Sequence, residues 1–214
     1  MIYLEETFNL KHASPEALDI FIEFSQKNSV PVFPKVGARL VIAWSSSEEW
    51  FNQVKQVLEF DDMEALKAFR IKSSQDKAYG EYLAGLEELA PVRRSRLLEP
   101  LGDVPAAVLH QTITESQETP NHIYLLAILE VGTDKMSQFK EGLAEAYKNL
   151  PIIASWRPIG GSPNEVIDIW KSIPPETAYQ PADEFSREFF RQVREVAPKE
   201  RVVRVTALPY SPLR

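Results

Sequence analysis

Few side chains in this sequence have the type and placement to do chemistry. Arg157 and Asp168 sit on the two arms of a candidate hairpin. An arginine lining a cavity could orient an anion or stabilise an enolate. A strand carboxylate held in an apolar interior gains a raised pKa and could act as a general base; Glu6 and Glu59 share that pattern with Asp168. Arg39 is a second candidate for an anionic substrate group. Trp44, Trp156 and Trp170 lie near strand ends, where indole rings could wall a pocket between sheet and helices. Tyr79 stands three residues before Tyr82 on one helical face. Strand alternation places Arg157 opposite Trp156, and Arg39, five residues before Trp44, on the far side as well. Each residue also has a plainer reading: core for the tryptophans, amphipathic packing for the tyrosines, solvent-facing charge for the arginines and carboxylates.

Several chemistries are excluded or disfavoured. There is no cysteine, so disulfides, thiolate metal sites and cysteine nucleophiles are ruled out. The histidines are His12, His110 and His122, with no HxH or HExxH spacing, and no metal site is expected. No GxSxG, Walker or GxGxxG pattern occurs. Gly160-Gly161 reads as a turn rather than a phosphate cradle. A net charge of −7 argues against a nucleic-acid partner. The groups Arg93-Arg94-Arg96 and Arg187, Arg191, Arg194 read as solvated faces among abundant acid. The N-terminus lacks a signal-peptide pattern, and no apolar run approaches membrane-spanning length. A soluble cytoplasmic protein without cofactor is the expectation.

The elements that must position these residues fall into two similar series. Ile2 to Phe8 alternates as a strand. Ser14-Pro15-Glu16 opens a helix that Pro31 and Pro34 end. Gly37 to Trp44 and Gln53 to Phe60 form a hairpin across Ser45-Ser46-Ser47. Asp61-Asp62 opens a helix closed by Pro91, and Arg94 to Leu101 is a short strand. Residues 102–121 read as an exposed connector, with Ala106 to His110 extending a strand. The series then restarts at Asn121 to Leu125. Thr133-Asp134 caps a helix, Ile152 to Trp156 and Asn164 to Lys171 pair across the glycine turn, Asp183 opens a helix, and Arg201 to Leu208 closes. The pairs Trp44 and Trp156, Asn52 and Asn164, Val54 and Val166, and Val57 and Ile169 all differ by 112. One constant offset across strand, turn and strand marks an internal duplication. The boundaries are 1–104 for the first repeat, 105–121 for a linker and 122–214 for the second.

The order β-α-β-β-α-β, twice, specifies an α+β fold of tandem ferredoxin-like repeats, with helices on one face of each four-stranded antiparallel sheet. The uncovered faces need partners. Packed together, they form one barrel with helices outside; a homo-oligomer would serve the same need. The run Gly160-Gly161-Ser162-Pro163-Asn164-Glu165-Val166-Ile167-Asp168-Ile169-Trp170 resembles the central hairpin of NIPSNAP domains. The first repeat follows that pattern less closely, having serines where the second has glycines. The resemblance implies the dimeric α/β-barrel superfamily, which includes cofactor-free monooxygenases, isomerases and haem enzymes. It leads to an expectation of a small hydrophobic molecule bound or transformed in a pocket, with Arg157 and Asp168 as catalytic residues and Arg39, Trp44, Trp156, Trp170 and Tyr79 in contact with substrate. A non-catalytic binding or assembly protein is the alternative, and haem binding a third reading. The second half, around Trp156, Asp168 and Trp170, is where the pocket is expected.

Overall fold

A computed structural model describes residues 1–102, 104–172 and 183–214. The first half carries strands β1 (Ile2–Asn9), β2 (Arg39–Ser46), β3 (Gln53–Phe60) and β4 (Val92–Pro100). Its helices are α1 (Pro15–Asn28), the single turn α2 (Phe33–Val36), α3 (Met63–Gln75) and α4 (Lys77–Leu89). Helix α5 (Ala106–Glu118) follows. The second half carries β5 (Ile123–Glu130), α6 (Met136–Asn149), β6 (Ile152–Pro158), β7 (Glu165–Lys171), α7 (Glu184–Val196) and β8 (Lys199–Ala207).

Helix starts follow local chemistry. Ser14 Oγ accepts from the Ala17 amide at 3.3 Å, Asp62 Oδ1 from Ala65 at 2.8 Å and Asp183 Oδ1 from Ser186 at 2.7 Å. These side chains satisfy amides that have no partner within the helix. The helix expected to run unbroken from Asp62 to Pro91 is instead two. Asp76 adopts extended backbone and caps α4 through Oδ1 and the Tyr79 amide, 2.8 Å. Thr133-Asp134 does not cap α6, which begins after Lys135 with no side-chain cap. The Thr133 hydroxyl accepts from Asn164 Nδ2 at 3.2 Å. The connector holds a helix where strand extension was expected. Buried Leu109, Thr112 and Ser116 recur at spacings of three and four, giving α5 one inward face.

The eight strands close into one barrel in the order β1-β3-β2-β8-β5-β7-β6-β4. Each half alone has the ferredoxin-like order, β4-β1-β3-β2 and β8-β5-β7-β6. The halves join at two equivalent seams. In the first, Trp44 pairs with Ala207 and Ser45 with Thr206. In the second, Leu98 pairs with Pro158, Glu99 with Arg157 and Pro100 with Trp156. The tail after β8 lengthens the first seam, its Leu208 and Leu213 amides bonding the carbonyls of Ala43 and Val41 at 2.9 and 3.3 Å.

Duplication extends to irregularities. The β2–β3 register shifts between Leu40 and Ile42, and the β6–β7 register between Ile152 and Ala154. The two bulges sit at the same repeat position. Each puts two successive residues on one face.

Three cores result. Inside the barrel, Tyr3, Trp44, Val57, Tyr124, Trp156, Ile169 and Val205 pack together from both halves. Tyr3 and Trp156 meet with ring centroids 4.6 Å apart. Outside, β1–β4 pack on α1, α3 and α4 through residues such as Phe8, Phe21, Leu58 and Tyr82. The second half packs on α6 through Leu129, Phe139, Leu143 and Val166. Trp44 is 2 % exposed. Trp44→Ala should therefore cost about 3–5 kcal/mol of unfolding free energy, measured by urea titration; a loss under about 1 kcal/mol would contradict its place in the barrel core.

Candidate functional site

The bulge at Val41 resets alternation along β2. Leu40 and Ala43 face the helices, whereas Val41, Ile42 and Trp44 face the barrel interior. Arg39 therefore shares a side with Trp44, contrary to the alternation argument, and pairs with the carboxylate of Glu59. His110 of α5 binds the same carboxylate, with Nε2 to Oε2 at 2.8 Å. Burial, and then the charge of Arg39, hold the His110 pKa below its ordinary value. This trio joins α5 to the barrel end, beside Tyr3, the strand partner of Glu59.

The tryptophans do not share a pocket. Trp44 and Trp156 fill the barrel interior, not the space between sheet and helices. Trp170 faces the opposite way, against Phe189 and Phe190 of α7, with centroids 6.4 and 6.2 Å away. Arg157 lies at the second seam, its Nε donating to Glu99 Oε1 at 2.6 Å. Asp168 is buried on the helix side of the second half, where Ser155 Oγ donates to Oδ1 at 2.5 Å. Arg157, Trp156 and Asp168 are thus not brought together. Among the described residues His12 meets the hairpin through its backbone carbonyl, which accepts from Asn52 Nδ2 at 3.4 Å. Asn52 and Asn164 both tie their hairpin to the loop ahead of a helix, Asn52 through Ser14 O and Asn164 through Thr133. The hairpin asparagine of the NIPSNAP-like pattern thus has a structural task. Gly160 and Gly161 hold φ of 88° and 83°, a turn that residues with a Cβ rarely adopt.

What the structure does assemble is a polar cluster inside the helix layer of the first half. Glu6 of β1 pairs with Gln56 of β3, and both point at α1 and α4. Gln56 Nε2 donates to Tyr210 OH at 2.7 Å. Tyr79 and Tyr82 enter from α4, with centroids 5.8 Å apart. Phe24, Phe33 and Phe69 wall them. Three polar atoms in this layer, Glu6 Oε2, Gln56 Oε1 and Tyr82 OH, are sealed from solvent without a hydrogen-bond partner. Each such group costs on the order of 1–3 kcal/mol. Their concentration in one layer makes it the candidate site.

The electrostatics agree. Glu6 is half-buried as a residue, yet burial of its carboxyl pushes the pKa up to about 7 against the weaker pull of Arg93. Burial also raises Tyr79 and Tyr82, with the Glu6 charge adding to both, and lifts Tyr210 to about 12. The protonated carboxyl and neutral phenols can exchange hydrogen bonds at neutral pH. Among the described residues no cluster of three or more His, Asp or Glu could hold a metal ion.

Two contributors escape sequence reasoning. Gln56 stands 112 residues before Asp168, so the repeat offset could have flagged it. Tyr210 follows the last strand, and no periodicity points to it. It enters because the tail crosses the seam and turns into the first half's helix layer.

No protein-family model and no curated protein matches the chain. Solved structures do. A "putative monooxygenase" from Fusobacterium nucleatum is 11% identical with a TM-score of 0.66, over 97% of this chain and 92% of that one. An anthrone oxidase-like protein is 13% identical with a TM-score of 0.54, over 96% and 90%. An uncharacterised NIPSNAP domain protein from Burkholderia xenovorans is 18% identical with a TM-score of 0.44, over 49% of this chain and 99% of that one. The full-length matches bear out the fold expected from the sequence, a dimeric-α/β-barrel arrangement with both halves in one chain. No described helix is long and apolar enough to cross a membrane.

Burial also pushes Asp168 up to about 7, opposed by the Ser155 hydrogen bond and aided by Glu200. The unfolded chain ionises both carboxyls near their ordinary values, so between about pH 4 and 7 the folded state holds more protons. Stability should therefore fall as pH rises through that window, by up to about 3–4 kcal/mol per group. Denaturant titrations at pH 5 and pH 8 test this. Glu6→Gln and Asp168→Asn should each flatten the slope, and a flat wild-type profile would contradict the assignment.

Proposed function

We propose that the helix layer of the first half binds a small hydrophobic aromatic molecule and removes a proton from it, with Glu6 as general base. The observation that carries this reading is the Glu6 carboxyl: Oε2 is sealed and unpaired, beside the equally unpaired hydroxyl of Tyr82. An unpaired acid buried among phenols and phenylalanines is costly unless a ligand completes it. A base with pKa near 7 is matched to neutral pH. Glu6 takes a proton from an acidic C–H or O–H, and the electron pair left behind delocalises onto the substrate oxygen. Tyr82 and Tyr210 are placed to donate hydrogen bonds to that oxyanion. The resulting enolate or phenolate is the common first intermediate of isomerisation, cyclisation and cofactor-independent attack on dioxygen. The names borne by the full-length structural neighbours favour the last of these. In this reading Tyr79 stands beside Tyr82 at the substrate. Asp168 is the second half's buried carboxylate, and Arg157, Arg39, Trp44, Trp156 and Trp170 take no part.

Anthrone is a suitable probe, being a planar tricyclic ketone that ionises to an aromatic enolate. The wild type should bind it saturably, by tyrosine and tryptophan fluorescence, and accelerate oxygen uptake. Glu6→Gln should lower kcat by about 100-fold or more, with anthrone affinity within a few-fold of wild type. Tyr82→Phe should lower kcat by about tenfold. Equal turnover by wild type and Glu6→Gln would overturn the role of Glu6. Saturable binding with no turnover by the wild type would favour the non-catalytic reading.

A further inference from the structure

The strand that carries Glu6 outward carries Glu5 and Thr7 inward, to the opposite side of the sheet. There the barrel opens into a basin of about 260 Å³, lined by Glu5, Thr7, Lys55, Arg94, Arg96 and Arg201, with Glu49 and Ser95 at its edge. That volume is near the lower end of small-molecule pockets, about 300–1,000 Å³. From the basin's lining we propose a binding site for a small oxyanion, the phosphate or carboxylate group of a compact ligand, held by Lys55 and Arg94. This site is separate from the Glu6 cluster and does not rest on its function.

Three observations support it. Lys55 is only 7 % exposed, yet among the described residues its ammonium has no hydrogen-bond or ion-pair partner. The stem is buried while the ammonium opens on the basin, near the Glu5 and Glu165 charges but bonded to neither, and so is available to a ligand's charge. Second, the rim cations differ in occupation. Arg96 is committed to Glu5, Nε to Oε1 at 2.8 Å, and to Glu165, Nη1 to Oε1 at 2.6 Å. Arg201 pairs with Glu49. Arg94 is exposed and has no ion-pair partner among the described residues, leaving its planar fork open for two parallel bonds to an oxyanion. Third, the duplication supplies an internal control. The repeat offset matches Lys55 with Ile167, and the β1 and β5 registers match Glu5 with Leu126 and Thr7 with Ile128. The fold is satisfied by apolar residues at these inward positions. The first half instead places charge there, in a barrel whose middle is aromatic and aliphatic and whose other end holds the Arg39, Glu59 and His110 trio. Burial holds the Lys55 pKa below its ordinary value, with Glu5 and, more weakly, Glu165 pulling upward and Arg96 and Arg94 pushing down. A bound oxyanion would strengthen the charged form.

The test is calorimetric titration of the full chain with inorganic phosphate and, separately, with malonate, at low ionic strength. At least one anion should bind saturably at one site per chain. Lys55→Met and Arg94→Ala should each weaken that binding tenfold or more. Arg191→Ala, on the surface of α7 and paired with Glu188 and Glu195, should leave it unchanged. Binding of only one anion, lost in both variants, supports the site and identifies the oxyanion class. If Lys55→Met fails to fold by circular dichroism, Arg94→Ala decides, since Arg94 is solvent-exposed. Absence of saturable binding by both anions, or binding that neither variant weakens, overturns the proposal.

Discussion

Everything in this molecule depends on two short seams. Each half is a four-stranded sheet with helices on one face only, and neither can leave its other face in water. Closure at β2–β8 and β4–β6 removes both uncovered faces and all sheet edges at once. The bare pairing is short, two residue pairs at one seam and three at the other. It is reinforced by the tail along β2 and by Tyr3 against Trp156. Filling the barrel with tryptophan, tyrosine and aliphatic side chains leaves little space for a ligand in its middle. The space that remains for polar groups lies in the helix layers and at the barrel mouth.

Gene duplication then lets the halves specialise on one scaffold. The same sheet position on the helix side holds Glu6 and Gln56 in the first half and Ala127 and Asp168 in the second. Each half keeps one buried carboxyl, moved from the first strand to the third. In the second half Ser155 satisfies it. In the first, Tyr79 and Tyr82 stand near it while its sealed Oε2 stays unpaired. That difference favours the first half as the chemical one, although the glycine turn drew sequence reasoning to the second. Because Tyr210 arrives from the C-terminal tail, the first half's cluster is complete only when the barrel is closed.

Architecture was legible because it is written in periodicity and caps. The offset of 112 identified the repeat, and Ser14, Asp62 and Asp183 cap the helices they were expected to start. Sequence reasoning grouped Trp156 with Asp168 and Trp170, although Trp156 lies on the opposite face of the sheet from both. Strand alternation was its guide to facing elsewhere. It failed at Arg39, because a bulge adds a residue without any sequence mark. It could not foresee α5, whose inward face relies on Thr112 and Ser116 beside a single leucine. It could not foresee Asp76 either, which ends one helix and starts the next. Glu6, Tyr79 and Tyr82 were visible as residue types, but their convergence on Gln56 and Tyr210 is a product of strand pairing and the path of the tail.

Burial among Tyr79 and Tyr82 raises the Glu6 carboxyl to about 7, so that at neutral pH it exists both as acid and as the carboxylate that the proposed base needs. The most direct test is the titration of the Glu6 side-chain carboxyl carbon by NMR, assigned by comparison with Glu6→Gln. A midpoint near 7 is the predicted result. A midpoint near the ordinary glutamate value, about 4.3, would show a solvated carboxylate and contradict the account.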